Sequence, residues 1–237
     1  MGIVSKPISK TRMHDLIAAL DWKAVRAALA DYPDALKYRG RKGENLLHLC
    51  CGRDLAKYGL RSADSIKTAA VLLDAGIDVN EAAFREEEWK ATPLWYAIAH
   101  GKNLQLAKYL LERGSSPNYC TFAAAYNDDA PAVRLLCKAG AEDFDLPGPD
   151  TPLLFAVKWS RFTGAKALLE CGANANVQDA NGKTPLHYML KKRSDPKYLR
   201  MFLKHGALLT IPDRDGITVQ NLLSRVRDPR YRELIDV

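Results

Sequence analysis

The stretch GKTPLHYML, which runs from Gly182 to Leu190, decides the fold because its helix start recurs along the chain. The triplet Thr-Pro-Leu occurs at 92–94, at 151–153 and at 184–186, and a degraded copy, NLLHL, occupies 45–49. Self-similarity at a period of roughly 20 to 50 residues is the sequence signature of a repeat architecture. The chain is therefore predicted to consist of repeated structural elements.

A second marker, a pair of bulky apolar residues, recurs after these helix starts. The pairs lie at intervals of 38, 25, 33 and 34 residues and are Leu72-Leu73, Leu110-Leu111, Leu135-Leu136, Leu168-Leu169 and Phe202-Leu203. A glycine follows each pair, at Gly76, Gly114, Gly140, Gly172 and Gly206. The two markers together delimit a series of repeats.

Each repeat is predicted to form two short helices. A threonine at the N-cap accepts a hydrogen bond from a free backbone N–H group, and a proline in the first turn has no N–H group to leave unpaired. The glycine after the second helix can adopt the left-handed conformation that the C′ position favours. Because each helix pair is amphipathic and cannot bury its apolar face alone, neighbouring repeats are predicted to stack.

These repeats resemble ankyrin repeats, whose unit of about 33 residues carries a T-P-L-H type of helix start. The nearest copy runs from Asp179 to Gly216, and the resemblance covers roughly residues 12–236. It implies an all-α fold, namely an ankyrin-repeat solenoid of stacked helix-turn-helix units with short hairpin loops, irregular units and helical caps at both ends. A tail at 1–11 is expected to precede one domain at 12–237, divided into a cap at 12–40, repeats at 41–80, 81–116, 117–146, 147–179 and 180–213, and a cap at 214–237.

Three repeats depart from the regular length. An insertion is expected at 52–65, and a lengthened hairpin is expected at 81–91. The repeat at 117–146 is short and is predicted to have lost its hairpin.

Composition favours a folded protein with an acidic partner. Of the 237 residues, 47% are hydrophobic, which is ample for a core, and the formal net charge is +7. The five cysteines, at 50, 51, 120, 137 and 171, are not spaced for a metal site and are expected to be reduced thiols. Since the sequence has neither a signal-peptide stretch nor a run long enough to span a membrane, a cytoplasmic location is expected, and delivery into a host cell as an effector stays open.

The histidine of the opening stretch, His187, is expected to be structural. His48 occupies the equivalent place in another repeat, whereas Trp95 and Leu154 replace it elsewhere, and a catalytic residue would not be distributed in this way. The resemblance implies that this imidazole forms hydrogen bonds across neighbouring loops. The sequence has no nucleophile elbow, phosphate-binding loop or metal-ligand spacing, so no catalytic residue, metal or cofactor is expected.

Stacked repeats are expected to present a concave surface that combines hairpin tips with the exposed positions of the first helices. By analogy with the family, these positions lie seven or eight places after the helix-start threonine and three or four places before it. They give ten candidate partner-binding residues, which are Arg41, Lys42, Arg53, Trp89, His100, Lys158, Trp159, Lys191, Lys192 and Arg214. An aromatic residue beside basic ones is typical of an interface hot spot, although Trp89 folding back onto its loop and Trp159 covering the short repeat are equally open.

These observations favour a non-catalytic scaffold whose concave surface binds a partner protein that carries an acidic patch, in a regulatory or similar role. The alternative is binding of nucleic acid or an anionic surface through the basic cluster at 183–204, which has seven basic residues and one acid but matches no recognised nucleic-acid-binding module. An enzyme that uses the insertion at 52–65 as an active-site loop has no supporting motif. Neither a small-molecule substrate nor a membrane span is expected.

Overall fold

The computed structural model describes residues 8–83, 85–86, 89–142, 150–232 and 234, and at Arg85, Glu86, Trp89 and Arg232 it describes the backbone alone. The chain divides into two compact units, here called unit 1 and unit 2, with the division between Cys120 and Thr121.

Unit 1 is built from two rows of helices. Its described elements are α1 (Lys10–Ala18), α2 (Trp22–Asp31), a 3₁₀ helix (Pro33–Lys37), α3 (Leu46–Cys51), α4 (Leu55–Tyr58), α5 (Ser62–Asp74), β1 (Arg85–Glu86), β2 (Trp89–Lys90), α6 (Pro93–Ala99) and α7 (Leu104–Glu112). Helix α3 packs between α1 and α6, while α5 packs between α2 and α7. Helices α1, α3 and α6 are the first helices of their repeats, and α2, α5 and α7 are the second helices.

Unit 2 repeats the same two-row arrangement. Its described helices are α8 (Thr121–Tyr126), α9 (Ala130–Lys138), α10 (Pro152–Lys158), α11 (Phe162–Glu170), α12 (Pro185–Lys191), α13 (Pro196–Lys204), α14 (Val219–Leu223) and α15 (Pro229–Arg232). The first helices α8, α10, α12 and α14 pack in that order, and the second helices α9, α11 and α13 pack beside them. Helical stacking of the ankyrin type is thus confirmed within each unit.

The helices begin at the predicted residues because those side chains cap them. The hydroxyl groups of Thr92 and Thr151 each accept a hydrogen bond at 3.3 Å from the backbone N–H group three residues later. Thr184 and Asn45 form capping boxes, in which the third residue of the helix returns a side-chain bond to the N-cap backbone. Thr218 caps α14 in the same way, although its repeat has no Thr-Pro-Leu triplet.

The second helices end at the predicted glycines. All five have a positive φ, between 82° and 98°, which is the left-handed region that glycine enters without steric cost. The apolar pairs supply the core, because one member of each pair is fully buried, namely Leu72, Leu110, Leu136, Leu168 and Phe202. Burying a side chain of this size contributes roughly 1.5–3 kcal/mol.

The insertion, the lengthened hairpin and the short repeat that the sequence predicts can each be compared with the structure. The insertion predicted at 52–65 contains α4 and the turn into α5, and the lengthened hairpin contains the antiparallel strands β1 and β2, with Glu86 opposite Trp89. In the short repeat, the eight residues from Arg113 to Cys120 connect α7 to α8. Helix α1 begins at Lys10, inside the predicted tail at 1–11. The boundary predicted between 146 and 147 lies outside the described residues. The division into a tail and one domain of five repeats and two caps stays a prediction.

In the described part of the chain, none of the helices combines the length and the apolar character needed to cross a membrane.

Candidate functional site

His187 links two neighbouring repeats of unit 2. Its Nδ1 accepts hydrogen bonds from the backbone N–H group and the hydroxyl group of Thr184, at 3.1 and 2.9 Å. Since Nδ1 is an acceptor, Nε2 carries the proton and donates to the carbonyl oxygen of Ile217, 3.1 Å away. Ile217 directly precedes Thr218, the N-cap of the next first helix, so the imidazole fixes one helix start relative to the next.

His48 makes the equivalent link in unit 1. Its Nδ1 accepts from the backbone N–H group of Asn45 at 3.2 Å, and its Nε2 lies 3.1 Å from the carbonyl oxygen of Ala91, which precedes Thr92. Burial lowers the pKa of His48, and its bond to the Ala91 carbonyl only partly offsets this effect. The structural role that the resemblance implies for both histidines is therefore confirmed.

An exposed aromatic surface lies on the first helices of unit 2. It consists of four residues, Phe122 and Tyr126 on α8, Phe155 on α10 and Trp159 at the end of α10, and is called here the aromatic surface. The Phe155 ring lies 4.7 Å from the Phe122 ring, 5.7 Å from the Tyr126 ring and 6.0 Å from the Trp159 ring, measured between centroids. These separations are in the range of favourable aromatic pairs.

Water reaches most of this surface. The exposed fraction is 64% for Trp159, 59% for Tyr126 and 38% for Phe122. Large apolar side chains that are exposed one at a time need no explanation, but here three rings each contact the Phe155 ring and form a contiguous apolar patch. Patches of this kind on folded proteins are often functional.

Basic side chains border the aromatic surface at the carboxyl-terminal end of α12. Lys191 and Lys192 are exposed there, and the ammonium group of Lys192 donates to the backbone carbonyl oxygen of Lys158 and lies 3.3 Å from the hydroxyl oxygen of Ser160. Ser160 directly follows Trp159, so one lysine from α12 lies beside the end of α10. This places Trp159 and Lys192, both predicted binding residues, at the same location.

Lys158 has a different environment from the one its position in the helix suggests. Its ammonium group lies 2.5 Å from a carboxylate oxygen of Asp150, 3.6 Å from one of Asp179, and 4.6 Å from the centroid of the Tyr188 ring. Burial works against the charged amine, but Asp150 outweighs it and raises the pKa of Lys158. This cation is already neutralised within unit 2, and its contact with a partner stays a prediction.

Two other predicted residues, Arg53 and His100, line the same pocket in unit 1. The pocket has a volume of about 200 Å³ and lies among the first helices α1, α3 and α6. The His100 ring lies 5.1 Å from the Trp95 ring and 5.4 Å from the Tyr96 ring. Burial and the charge of Lys42 both lower the pKa of His100, which favours the neutral imidazole.

Three of the remaining predicted residues lie in turns, and the side chain of the fourth is not among those the structure describes. Arg41 and Lys42 are exposed in the turn before α3, and the backbone N–H group of Lys42 donates to Glu44 at 2.9 Å. Arg214 is exposed in the turn before α14, where its N–H group donates to the Asn181 carbonyl oxygen at 3.0 Å. The side chain of Trp89 lies outside the described residues, so its placement stays a prediction.

Phe122, Tyr126 and Phe155 were not among the sequence candidates. A signal for them exists, because Phe122 and Tyr126 are four residues apart on one first helix, as Phe155 and Trp159 are on the next. Side chains four residues apart share a helix face, so this repeated spacing predicts an aromatic strip. The predicted positions follow from the Thr-Pro-Leu helix start, which the α8 repeat lacks.

The five cysteines are buried or half-buried thiols, and none of them forms a disulfide. Burial raises the pKa of Cys50 to about 12, so this thiol is not a nucleophile at neutral pH. Within the described ranges, no group of three His, Cys, Asp or Glu side chains is placed to bind a metal ion. What the geometry does show is an exposed apolar surface with a lysine beside it.

Comparison with protein families supports the repeat assignment. A model described as ankyrin repeats (3 copies) matches residues 121–213, and a model described as ankyrin repeat matches residues 89–122. Together they cover residues 89–213, which is more than half of the chain.

Similar proteins carry the same repeats. A Rickettsia bellii (strain RML369-C) protein named as an ankyrin repeat protein is 30% identical over 140 residues, which are 56% of this chain and 57% of that protein. The mouse SH3 and multiple ankyrin repeat domains protein 1 is 32% identical over 117 residues, which are 45% of this chain. The chain thus spans little more than half the length of the first relative and 5% of the second.

Among solved structures, the ankyrin repeat domain of Bcl-3 superposes with a TM-score of 0.72. The superposition covers 98% of this chain and 99% of that one, at 17% sequence identity. At this identity the similarity concerns the fold alone.

Proposed function

Because the chain belongs to the ankyrin-repeat family, we propose that it is a non-catalytic module that binds a partner protein through the first helices of unit 2. Ankyrin repeats are protein–protein interaction modules, so the family supports binding in general. The observation that carries this placement is the aromatic surface, in which Trp159 is 64% exposed while its ring contacts that of Phe155. By the family analogy, the first helices belong to the concave side of the repeats.

The energetics of binding favour this surface. Tryptophan and tyrosine dominate the small set of side chains whose truncation costs 2 kcal/mol or more, roughly, at protein interfaces. The rings of Tyr126 and Trp159 both contact the Phe155 ring, so they lose less conformational freedom on binding than isolated exposed side chains would. The aromatic surface is therefore the anchor, and the neighbouring lysines set the orientation.

The charge around the anchor favours an acidic partner. Lys191 and Lys192 are exposed at the end of α12, and within the described ranges neither forms an ion pair with a carboxylate. The whole chain carries a formal charge of +7, which accelerates the encounter with an acidic protein. We therefore propose that the partner places carboxylates beside Lys192 and apolar side chains against Trp159.

The test is a pair of double variants in the full chain. Trp159→Ala with Lys192→Ala removes the anchor and a neighbouring cation, and Leu208→Ala with Lys204→Ala removes an exposed apolar residue and an exposed lysine elsewhere in unit 2. Partners captured from the native cell by the wild type are identified by mass spectrometry, and their affinities are then measured with purified proteins. The first variant is expected to bind roughly 30-fold more weakly, and the control is expected to bind like the wild type.

Retained affinity in the first variant, with helicity unchanged by circular dichroism, would refute the placement. The alternative function, in which the basic cluster at 183–204 binds nucleic acid or an anionic surface, predicts a different result. Binding of duplex DNA would then fall steeply with salt, because phosphate contacts release counterions. We also propose a cytoplasmic location, which the absence of a disulfide among the five cysteines supports.

A further inference from the structure

The pocket of unit 1 has a polar side chain that its own surroundings leave unsatisfied. We infer that this pocket is a binding site for a single carboxylate group and that Arg53 recognises it. The inference concerns unit 1 and does not rest on the proposed function, which concerns unit 2. It follows from the state of Arg53, from the residues beside it and from the size of the pocket.

Arg53 is half-buried at the end of α3, and its Nε atom is buried with no hydrogen-bond partner. Within the described ranges, none of the carboxylates forms an ion pair with its guanidinium group. A buried N–H group without an acceptor costs roughly 1–3 kcal/mol, and more when the group is charged. An acceptor brought by a ligand would recover this free energy.

The guanidinium group is held in place before any ligand arrives. Its central carbon lies 3.9 Å from the centroid of the Tyr58 ring, which is a close cation–π contact. The ring belongs to α4, the helix of the insertion at 52–65, so the insertion fixes the arginine. A fixed guanidinium group favours a carboxylate as its ligand, because its planar N–H groups match the two carboxylate oxygens.

The pocket already contains one carboxylate, that of Glu44, but other groups hold it. One oxygen accepts from the hydroxyl group of Tyr96 at 3.4 Å, and the other accepts from the backbone N–H group of Lys42 at 2.9 Å. Glu44 therefore leaves Arg53 unpaired. A second carboxylate entering beside Arg53 would supply the acceptor that Glu44 does not.

The size and the walls of the pocket limit what enters. About 200 Å³ is below the range of roughly 300–1,000 Å³ that small-molecule sites occupy, so the pocket accommodates one side chain or one chain terminus. The rings of Tyr96 and His100 form part of the wall, and an aliphatic stem would pack against them. The carboxylate of a glutamate side chain or of a peptide terminus satisfies these conditions.

The inference is tested by nuclear magnetic resonance on the full ¹⁵N-labelled chain. The Nε–H signal of Arg53 is followed during titration with three capped tripeptides, namely acetyl-Gly-Glu-Gly-amide, acetyl-Gly-Gly-Gly with a free carboxylate, and acetyl-Gly-Gln-Gly-amide. The titration extends to roughly 50 mM, since one guanidinium–carboxylate pair supports binding only in the millimolar range. Arg26 provides the matched control, because it is exposed on α2 with its guanidinium carbon 5.2 Å from the Trp22 ring centroid.

We expect a saturable shift of the Arg53 signal with at least one of the two charged peptides and none with the glutamine peptide. The peptide that binds identifies the source of the carboxylate as a side chain or a terminus. A shift of equal size at Arg26, a shift with the glutamine peptide, or no shift at all would overturn the inference.

A second experiment distinguishes the contribution of the planar guanidinium group from that of its positive charge. Arg53→Lys keeps the charge and the aliphatic stem but lacks the Nε–H group and the planar fork, so binding of the charged peptides, followed at backbone signals of the pocket, is expected to weaken by roughly fivefold or more. Unchanged affinity in this variant would overturn the role of Arg53. Neither outcome affects the binding test on unit 2.

Discussion

Replacing His187 by leucine tests how strongly the imidazole link stabilises unit 2. The change keeps an apolar side chain at a position that is 3% exposed, and leucine already occupies the equivalent position at Leu154. It removes the acceptor for the N–H group of Thr184 and the donor for the carbonyl oxygen of Ile217. The imidazole bond between the helix start at Thr184 and the residue before the next one at Thr218 is then lost.

The expected cost follows from these two unpaired backbone groups. A buried donor or acceptor without a partner costs roughly 1–3 kcal/mol, while the extra apolar surface of leucine recovers part of this amount. Thr184 is fully buried, whereas Ile217 is half-buried and water can reach its surroundings. We therefore expect the free energy of unfolding to fall by about 2–4 kcal/mol.

The assay is urea-induced unfolding followed by circular dichroism. His205→Leu is the matched control, because His205 is exposed at the end of α13 and its Nδ1 contacts only a helix-end carbonyl oxygen, that of Met201, at 2.8 Å. The control is expected to change the free energy of unfolding by less than about 0.5 kcal/mol. If both variants lose the same small amount, the link between repeats does not contribute as argued.

Three further predictions concern unit 1. Gly101→Ala is expected to lower the free energy of unfolding by about 1–3 kcal/mol in urea titrations, because the added Cβ would lie 2.2 Å from the backbone carbonyl oxygen of Cys51; an unchanged midpoint would contradict the packing of α3 on α6. Lys102→Gly is expected to raise the melting temperature by a few degrees, since Lys102 has a φ of 46° that costs a non-glycine residue about 1 kcal/mol; a lowered melting temperature would contradict this. Burial lowers the pKa of His48, so near the ordinary histidine pKa of about 6.5 the unfolded chain binds a proton that the folded chain does not. The free energy of unfolding, measured from pH 5 to 7.5, is therefore expected to be constant above this pH and to fall below it, and His48→Leu should remove this contribution to the pH dependence.

The helix limits could be predicted because local chemistry determines them. A threonine before proline and a glycine after an apolar pair act within one helix end, so Thr92 and Gly114 have the same role wherever the repeat packs. The turns between the first and second helices were not predicted. Their left-handed residue is not a glycine but varies, as Leu20, Lys102, Asp128, Ser160 and Arg193 show, and tertiary packing imposes its conformation.

The site was only partly predictable, because it depends on contacts between repeats. The exposed position of Trp159 follows from its place on the helix, and the structure shows it exposed. The neutralisation of Lys158 depends on Asp150, which precedes the helix, and on Asp179, which lies in the following turn and which counting along one helix cannot reach. The ring contacts of Phe122 with Phe155 likewise join two helices that are separated by more than 20 residues in sequence.

The same two positions of the first helices carry different chemistry in the two units. The residues four and eight places after the N-cap are Tyr96 and His100 in unit 1, whereas they are Phe155 and Trp159 in unit 2. The caps and glycines hold these positions at equivalent points of each repeat, so the side chains there can vary without cost to the fold. In unit 1 they line a small pocket beside an unpaired arginine, and in unit 2 they belong to an apolar surface beside a lysine. One chain can therefore present two distinct recognition chemistries on a single repeated framework, and variants of one unit should leave the binding of the other unchanged.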